Sequence, residues 1–294
     1  MSDELFRRFR DKMQGRAAAR RRGPAPPADA APGETTPAAE APVPDDSIRI
    51  RSVQHGPFPG AARYNSRFQE GVTRIRLTID LGAELRRPHG PLSSSFKANL
   101  LALCPLLPEH DCRGGRDVHE LLSAGDATTP QRARAPEEDG LVLAHLIEHV
   151  AIDLIVAVSG ARFCSGVTCA WRDRTDRFDV FVECTDPLLG RSLAILATAA
   201  VRDLCAAGDG LEAHRRCRDL LTFLHRTGRK TLAPEDAATS LGLDLAATRE
   251  SLEAVARLGY LEAVAAPLTF SSATGVLFRR VALEPGAGGP PALG

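Results

Sequence analysis

The chain has 294 residues, enough for one or two domains with substantial hydrophobic cores. Apolar residues make up 44% and charged residues 25%, so the composition is that of a soluble globular protein and not of a collagenous or wholly disordered one. Basic and acidic residues balance at 37 each, which excludes a global field drawing the chain to nucleic acid or to acidic membranes; any such binding needs a local basic patch.

Residues 1–47 open with seven arginines up to Arg22 and continue as a tract of Ala, Pro, Gly, Thr and acids. Large apolar side chains are too few there to offset the entropy of ordering, and a solvated tail is expected. The opening residues 4–10 also have the spacing of a short amphipathic helix. The folded part is expected from Ile48. Ile48, Ile50 and Val53 alternate approximately with polar residues, which predicts a strand, and residues 73–81 alternate over nine positions as a second. Helices are predicted over 96–104 and 118–122, with residues 126–138 as loop. Residues 139–158 form the longest predicted helix, stopped by Gly160. A third strand follows at 178–184, then a long helix over 188–206. Strands mixed with helices imply an α/β or α+β domain over 48–208 with a small mixed sheet.

From Leu211 the pattern changes. Helices are predicted over 217–225, 235–240 and 245–258, then two apolar strands, 260–263 and 276–281. Three helices and a terminal hairpin outline a winged helix over 211–284, followed by a disordered end at 285–294. Arg215, Arg216, Arg218, Arg226, Arg229 and Lys230 form a basic cluster before the helix that would read a groove. That helix itself presents Arg249, Glu250, Glu253 and Arg257, a balanced set. The module is therefore expected to contact a protein or DNA, and the balance favours protein.

The seven cysteines, with no secretory segment before them, are expected to be reduced thiols in a cytoplasm. Cys164 and Cys169 lack the spacing of a zinc knuckle. No uncharged apolar run reaches the roughly 18 residues of a membrane span, because histidines and acids interrupt residues 141–158.

Those interruptions carry the chemistry. On an otherwise apolar helix, His145, Glu148, His149 and Asp153 fall within an arc of roughly 140°. A buried carboxylate beside two imidazoles calls for a compensating charge. Two histidines four apart set their ring nitrogens on one side of a turn, as a tetrahedral divalent metal such as zinc requires, and the order H-x-x-E-H is that of inverzincins. Glu148 would then serve as the base toward water. The alternative is a pair of core histidines hydrogen-bonded to the glutamate with no metal. A third ligand is needed, and Glu183, an acid on a buried strand, is the first choice; His110 and Asp153 compete. Asp153, two turns along, suits a supporting position better than ligation.

Several segments resemble, in order, the N-terminal domain of cyanophycin synthetase. They are Arg51-Ser52-Val53, His55-Gly56-Pro57, Leu107-Pro108-Glu109-His110-Asp111-Cys112 with Gly114-Gly115, the run from Ala144 to Ala151, and Phe181-Val182-Glu183. The resemblance covers residues 48–206. It implies a domain that binds a charged peptide or polymer and, in some members, a metal-dependent peptidase acting on cyanophycin-like chains. It carries His145, His149 and Glu183 over as ligands and Glu148 as base; Asp153, Glu109 and His110 are further candidates for a supporting or substrate-side position. The ligase modules of the full synthetase are not expected, as no G-x-x-x-x-G-K-[ST] segment is present. The insertion at 129–139 and the segment 162–166 depart from the family pattern, which bears on substrate choice. Three functions stay open: a metal-dependent amide hydrolase, a non-catalytic peptide or polymer binder, and a winged-helix regulator with a metal-binding sensor domain.

Overall fold

The computed structural model describes residues 48–69, 71–82, 94–109, 136–206, 211–266 and 275–282. The expected tail, the expected helix at 118–122, the C-terminal end from 285 and His110 lie outside the described residues.

Four strands form the first sheet: β1 (Arg49–Gly56), β2 (Arg74–Asp80), β3 (Gly166–Ala170) and β4 (Arg177–Glu183), in the order β1-β2-β4-β3. Every pairing is antiparallel, so the sheet is not mixed and the architecture is α+β. The uneven spacing of Ile50 and Val53 has a local cause. The β1–β2 register slips between Ile50 and Ser52, leaving Arg51 as an extra residue, and the bulge returns Val53 to the core face opposite Leu77.

One face of this sheet is apolar: Ile75, Leu77 and Ile79 of β2 and Phe178, Val180 and Val182 of β4 are all buried. Against it lie two helices, α2 (Pro136–Ser159) and α3 (Pro187–Cys205); α1 (Ser94–Leu103) precedes them in the chain. Helix α2 begins three residues before the expected start, with Pro136 in its first turn, where a missing N–H costs nothing. Gly160, at φ 70°, ends it in the left-handed conformation, its N–H donating to Val156 O. Asp186 caps α3 by accepting the Leu188 and Leu189 N–H groups, both at 3.1 Å. Gly190 lets α3 lie close on the sheet, since a Cβ there would sit 2.8 Å from Cys184 and 3.0 Å from Ile75.

The rest of the described chain runs α4 (Leu211–Thr227), β5 (Thr231–Leu232), α5 (Pro234–Leu241), α6 (Leu245–Arg257), β6 (Leu261–Ala265) and β7 (Val276–Arg280). Its antiparallel sheet has the order β5-β7-β6. Helix α4 starts six residues earlier than expected and packs on α2, α3 and α1 through Leu220, Leu221 and Leu224. One apolar cluster therefore takes in residues from Ile48 to Phe278, on both sides of the expected boundary. Polar ties follow it: the Ser192 hydroxyl donates to Leu258 O at 3.1 Å, and Arg280 pairs with Asp186 over the buried ring of Tyr260.

The stretch Leu141–Ser159 has the length and mean hydropathy, 2.1, of a membrane span, and 78% of it is buried inside the fold. Its apolar sides face the sheet, α3 and α4.

Candidate metal centre

Helix α2 turns His145, Glu148 and His149 toward β3 at the edge of the sheet. The two imidazoles meet at an interplanar angle of 65°, with Nε2 to Nε2 at 3.2 Å. His145 Nε2 lies 4.0 Å from Glu148 Oε2. The donor atoms of all three side chains lie within 4.8 Å of one another, and this group can hold a metal ion. Glu148 and His149 are each 4% exposed, whereas His145 remains partly open.

β3 supplies two features that hold Glu148. The Thr168 hydroxyl donates to Glu148 Oε2 at 2.6 Å. Gly166 makes room beside it: a Cβ at that position would lie 2.8 Å from Glu148 Oε1 and 2.9 Å from Glu148 Cγ. Both residues occupy the helix-facing phase of a short edge strand. Sequence alternation did not reveal this strand, because five residues between a glycine and a turn carry too little period to register. The β-branched pair Val167-Thr168 after Gly166 was the available signal.

Burial sets the electrostatics. It pushes the His145 imidazole down to about 4, so the ring is neutral at pH 7 and its unprotonated nitrogen can donate a lone pair. It pushes the Glu148 carboxyl up to about 8, against the opposing pull of the Thr168 hydrogen bond. The neutral His145 ring, the His149 ring beside it and a buried carboxyl whose charged form needs a nearby cation make a group suited to a divalent metal.

The other expected site residues are placed elsewhere. Glu183 is not brought into the group. Strand alternation decides this: Val182 pairs with Gly166 on the helix face, so Glu183 points to the opposite face beside its partner Arg74. There Glu183 Oε1 accepts the Gln69 N–H at 2.7 Å and lies 3.4 Å from Arg74 Nη2. Burial raises the Glu183 carboxyl, offset in part by the Gln69 amide and the Arg74 guanidinium. Asp153 is fully buried, within electrostatic reach of the Cys104 thiol just after α1, and it is not in the group. Glu109 ends the turn Leu107–Glu109, which packs against α2. His110 lies outside the described residues. Arg74, the buried partner of Glu183, is a residue the sequence reading passed over; a basic residue inside an alternating strand was its signal.

No protein-family model matches the chain. No curated relative matches it either.

Proposed function

We propose that the chain is a metal-dependent amide hydrolase of inverzincin type, acting on a charged peptide or a cyanophycin-like polymer. The observation that carries this reading is the convergence of two imidazole nitrogens and one deeply buried carboxylate on one side of α2. The donor set favours zinc: imidazoles suit it, and the group is compact. His145 and His149 hold the ion. Bound there, the ion supplies Lewis acidity toward a scissile carbonyl and toward water. Glu148 accepts the proton of the attacking water and delivers it to the leaving amine, with Thr168 fixing the orientation of its carboxylate. With Glu183 on the far face, the remaining ligand comes from substrate or solvent.

The resemblance to the N-terminal domain of cyanophycin synthetase supports the substrate class. The free thiols among the described residues suit a reducing cytoplasm.

Metal content and turnover separate the roles. Purified protein is expected to carry one equivalent of zinc, lost in His145→Ala and in His149→Ala. Glu148→Gln is expected to keep the zinc and lose peptide turnover by at least about 100-fold, as general-base removal does. Zinc lost from Glu148→Gln would make this residue a ligand instead of the base. Wild-type protein without zinc, manganese or iron would end the hydrolase reading.

A second reading concerns the C-terminal part. The order α4-β5-α5-α6-β6-β7, with sheet order β5-β7-β6, supports a winged helix. The exposed face of α6 mixes Arg249, Glu250, Glu253 and Arg257, and Glu250 lies 3.7 Å from Arg216 of α4. Such a face suits a protein partner better than phosphates. Salt-dependent duplex binding, lost on substituting Arg249, would favour DNA and a regulator with a metal-binding sensor domain.

A further inference from the structure

The sheet face turned away from the helices carries a second, chemically different site. Segment 57–69 lies across this face and is fixed from beneath. The Arg74 guanidinium, 3% exposed, donates to Pro57 O and Gln69 O, pairs with Glu183, and stacks 4.5 Å from the centroid of the Phe68 ring. Asn65 Nδ2 ties the middle of the segment to the start of β3, at 2.7 Å from Gly166 O and 3.0 Å from Ser165 Oγ.

The pinned segment and the sheet enclose an open groove of about 450 Å³, lined chiefly by Phe58, Arg63, Tyr64, Arg76 and Phe181. Phe58 and Phe181 meet edge to face, their centroids 5.7 Å apart. Phe58 has φ 37°, the only positive φ outside glycine among the described residues. Such backbone costs energy and persists only where its surroundings fix it. Tyr64 is 61% exposed at the rim. The two cations differ in kind. Arg76 is already paired with Asp179 at 2.7 Å. Arg63 is exposed, and no carboxylate among the described residues pairs with it.

Aromatic faces beside a guanidinium that has no carboxylate partner among the described residues select for two properties together. The rings stack on a planar group, and the guanidinium takes a phosphate or carboxylate. The volume lies within the range of sites that hold small organic ligands. We propose that this groove binds a planar aromatic ring bearing one anionic group, of about mononucleotide size. It stands apart from the metal group, on the other face of the sheet, and does not depend on the hydrolase reading.

Calorimetric titration of the full chain with adenosine monophosphate, benzoate and inorganic phosphate tests it. Either aromatic anion is expected to bind. Tyr64→Ala and Arg63→Ala are each expected to weaken that binding by about tenfold, as loss of one stacking or charged contact does. Both side chains are exposed, so the thermal midpoint should not move and the fold is preserved in the variants. Failure of both aromatic anions to bind overturns the proposal. So does binding that survives both substitutions, or inorganic phosphate binding as tightly as adenosine monophosphate.

Discussion

Gly166 is one residue with two contacts of opposite kind. Its carbonyl accepts from Asn65 on one side of β3, and its Cα faces Glu148 on the other. A methyl group at this position meets the Glu148 side chain at 2.8–2.9 Å and Ile152 Cδ1 at 3.0 Å, so the carboxylate must move. Gly166→Ala is therefore expected to cost about 1–3 kcal/mol of stability by overpacking and, under the proposed metal-hydrolase function, to lower metal affinity or turnover about tenfold. Metal titration and thermal unfolding of the variant check this. Unchanged affinity and turnover would show that Glu148 tolerates displacement. The metal group itself was legible from sequence because all three residues sit on one helix, where spacing alone fixes their relative direction. Thr168 and Gly166 come from another element, and no spacing rule connects them to α2.

Three strands are tied at one end of the first sheet by Asp80 of β2. Its carboxylate accepts from Arg51 of β1 at 2.6 Å and from Arg177 of β4 at 2.6 and 3.0 Å. Burial raises the Asp80 carboxyl, but the hydrogen bonds and charges of Arg177 and Arg51 outweigh it and hold the group below its usual value of 3.8. A carboxylate depressed on folding stabilises the native state above its unfolded pKa. That contribution disappears as pH falls through the lower, folded value. Asp80→Asn should cost about 2–3 kcal/mol at pH 7, and the gap between variant and wild type should narrow as pH falls below the usual carboxylate value toward the lower, folded one. An equal thermal shift at pH 7 and pH 3 would contradict this role.

The same sheet shows what alternation does and does not tell. Phe178, Val180 and Val182 share one phase of β4, and Asp179, Phe181 and Glu183 share the other. The apolar phase had to face the helices, so the position of Glu183 on the far side was readable from period two alone. A side chain reaching a metal held by α2 would have to come from the other phase. The Arg51 bulge, by contrast, leaves no sequence mark beyond an uneven spacing of apolar residues.

At the scale of the whole molecule, the change of pattern at Leu211 is a change of topology but not of core. Leu220, Leu221 and Leu224 of α4 belong to the same apolar cluster as Val150 and Leu154 of α2, and the Asp186–Arg280 pair joins the cap of α3 to the last strand. Fully burying each of these leucines contributes about 1.5–3 kcal/mol to the joint structure. Calorimetric unfolding of the full chain is accordingly expected to show one transition, and Asp186→Ala, which removes both the cap and the ion pair, should lower its midpoint without splitting it. Two separate transitions would mean that the halves fold independently. Composition could not reveal this union, because a Gly-bounded linker reads alike whether its neighbours share a core or not.

The carboxamide of Asn65 reaches across the strand edge to the peptide that backs Glu148. Anyone grafting a foreign segment onto this scaffold across its aromatic groove would thereby be editing the back wall of the candidate metal group. A donor kept at position 65 is the cheapest insurance that a redesigned front leaves the chemistry behind it standing.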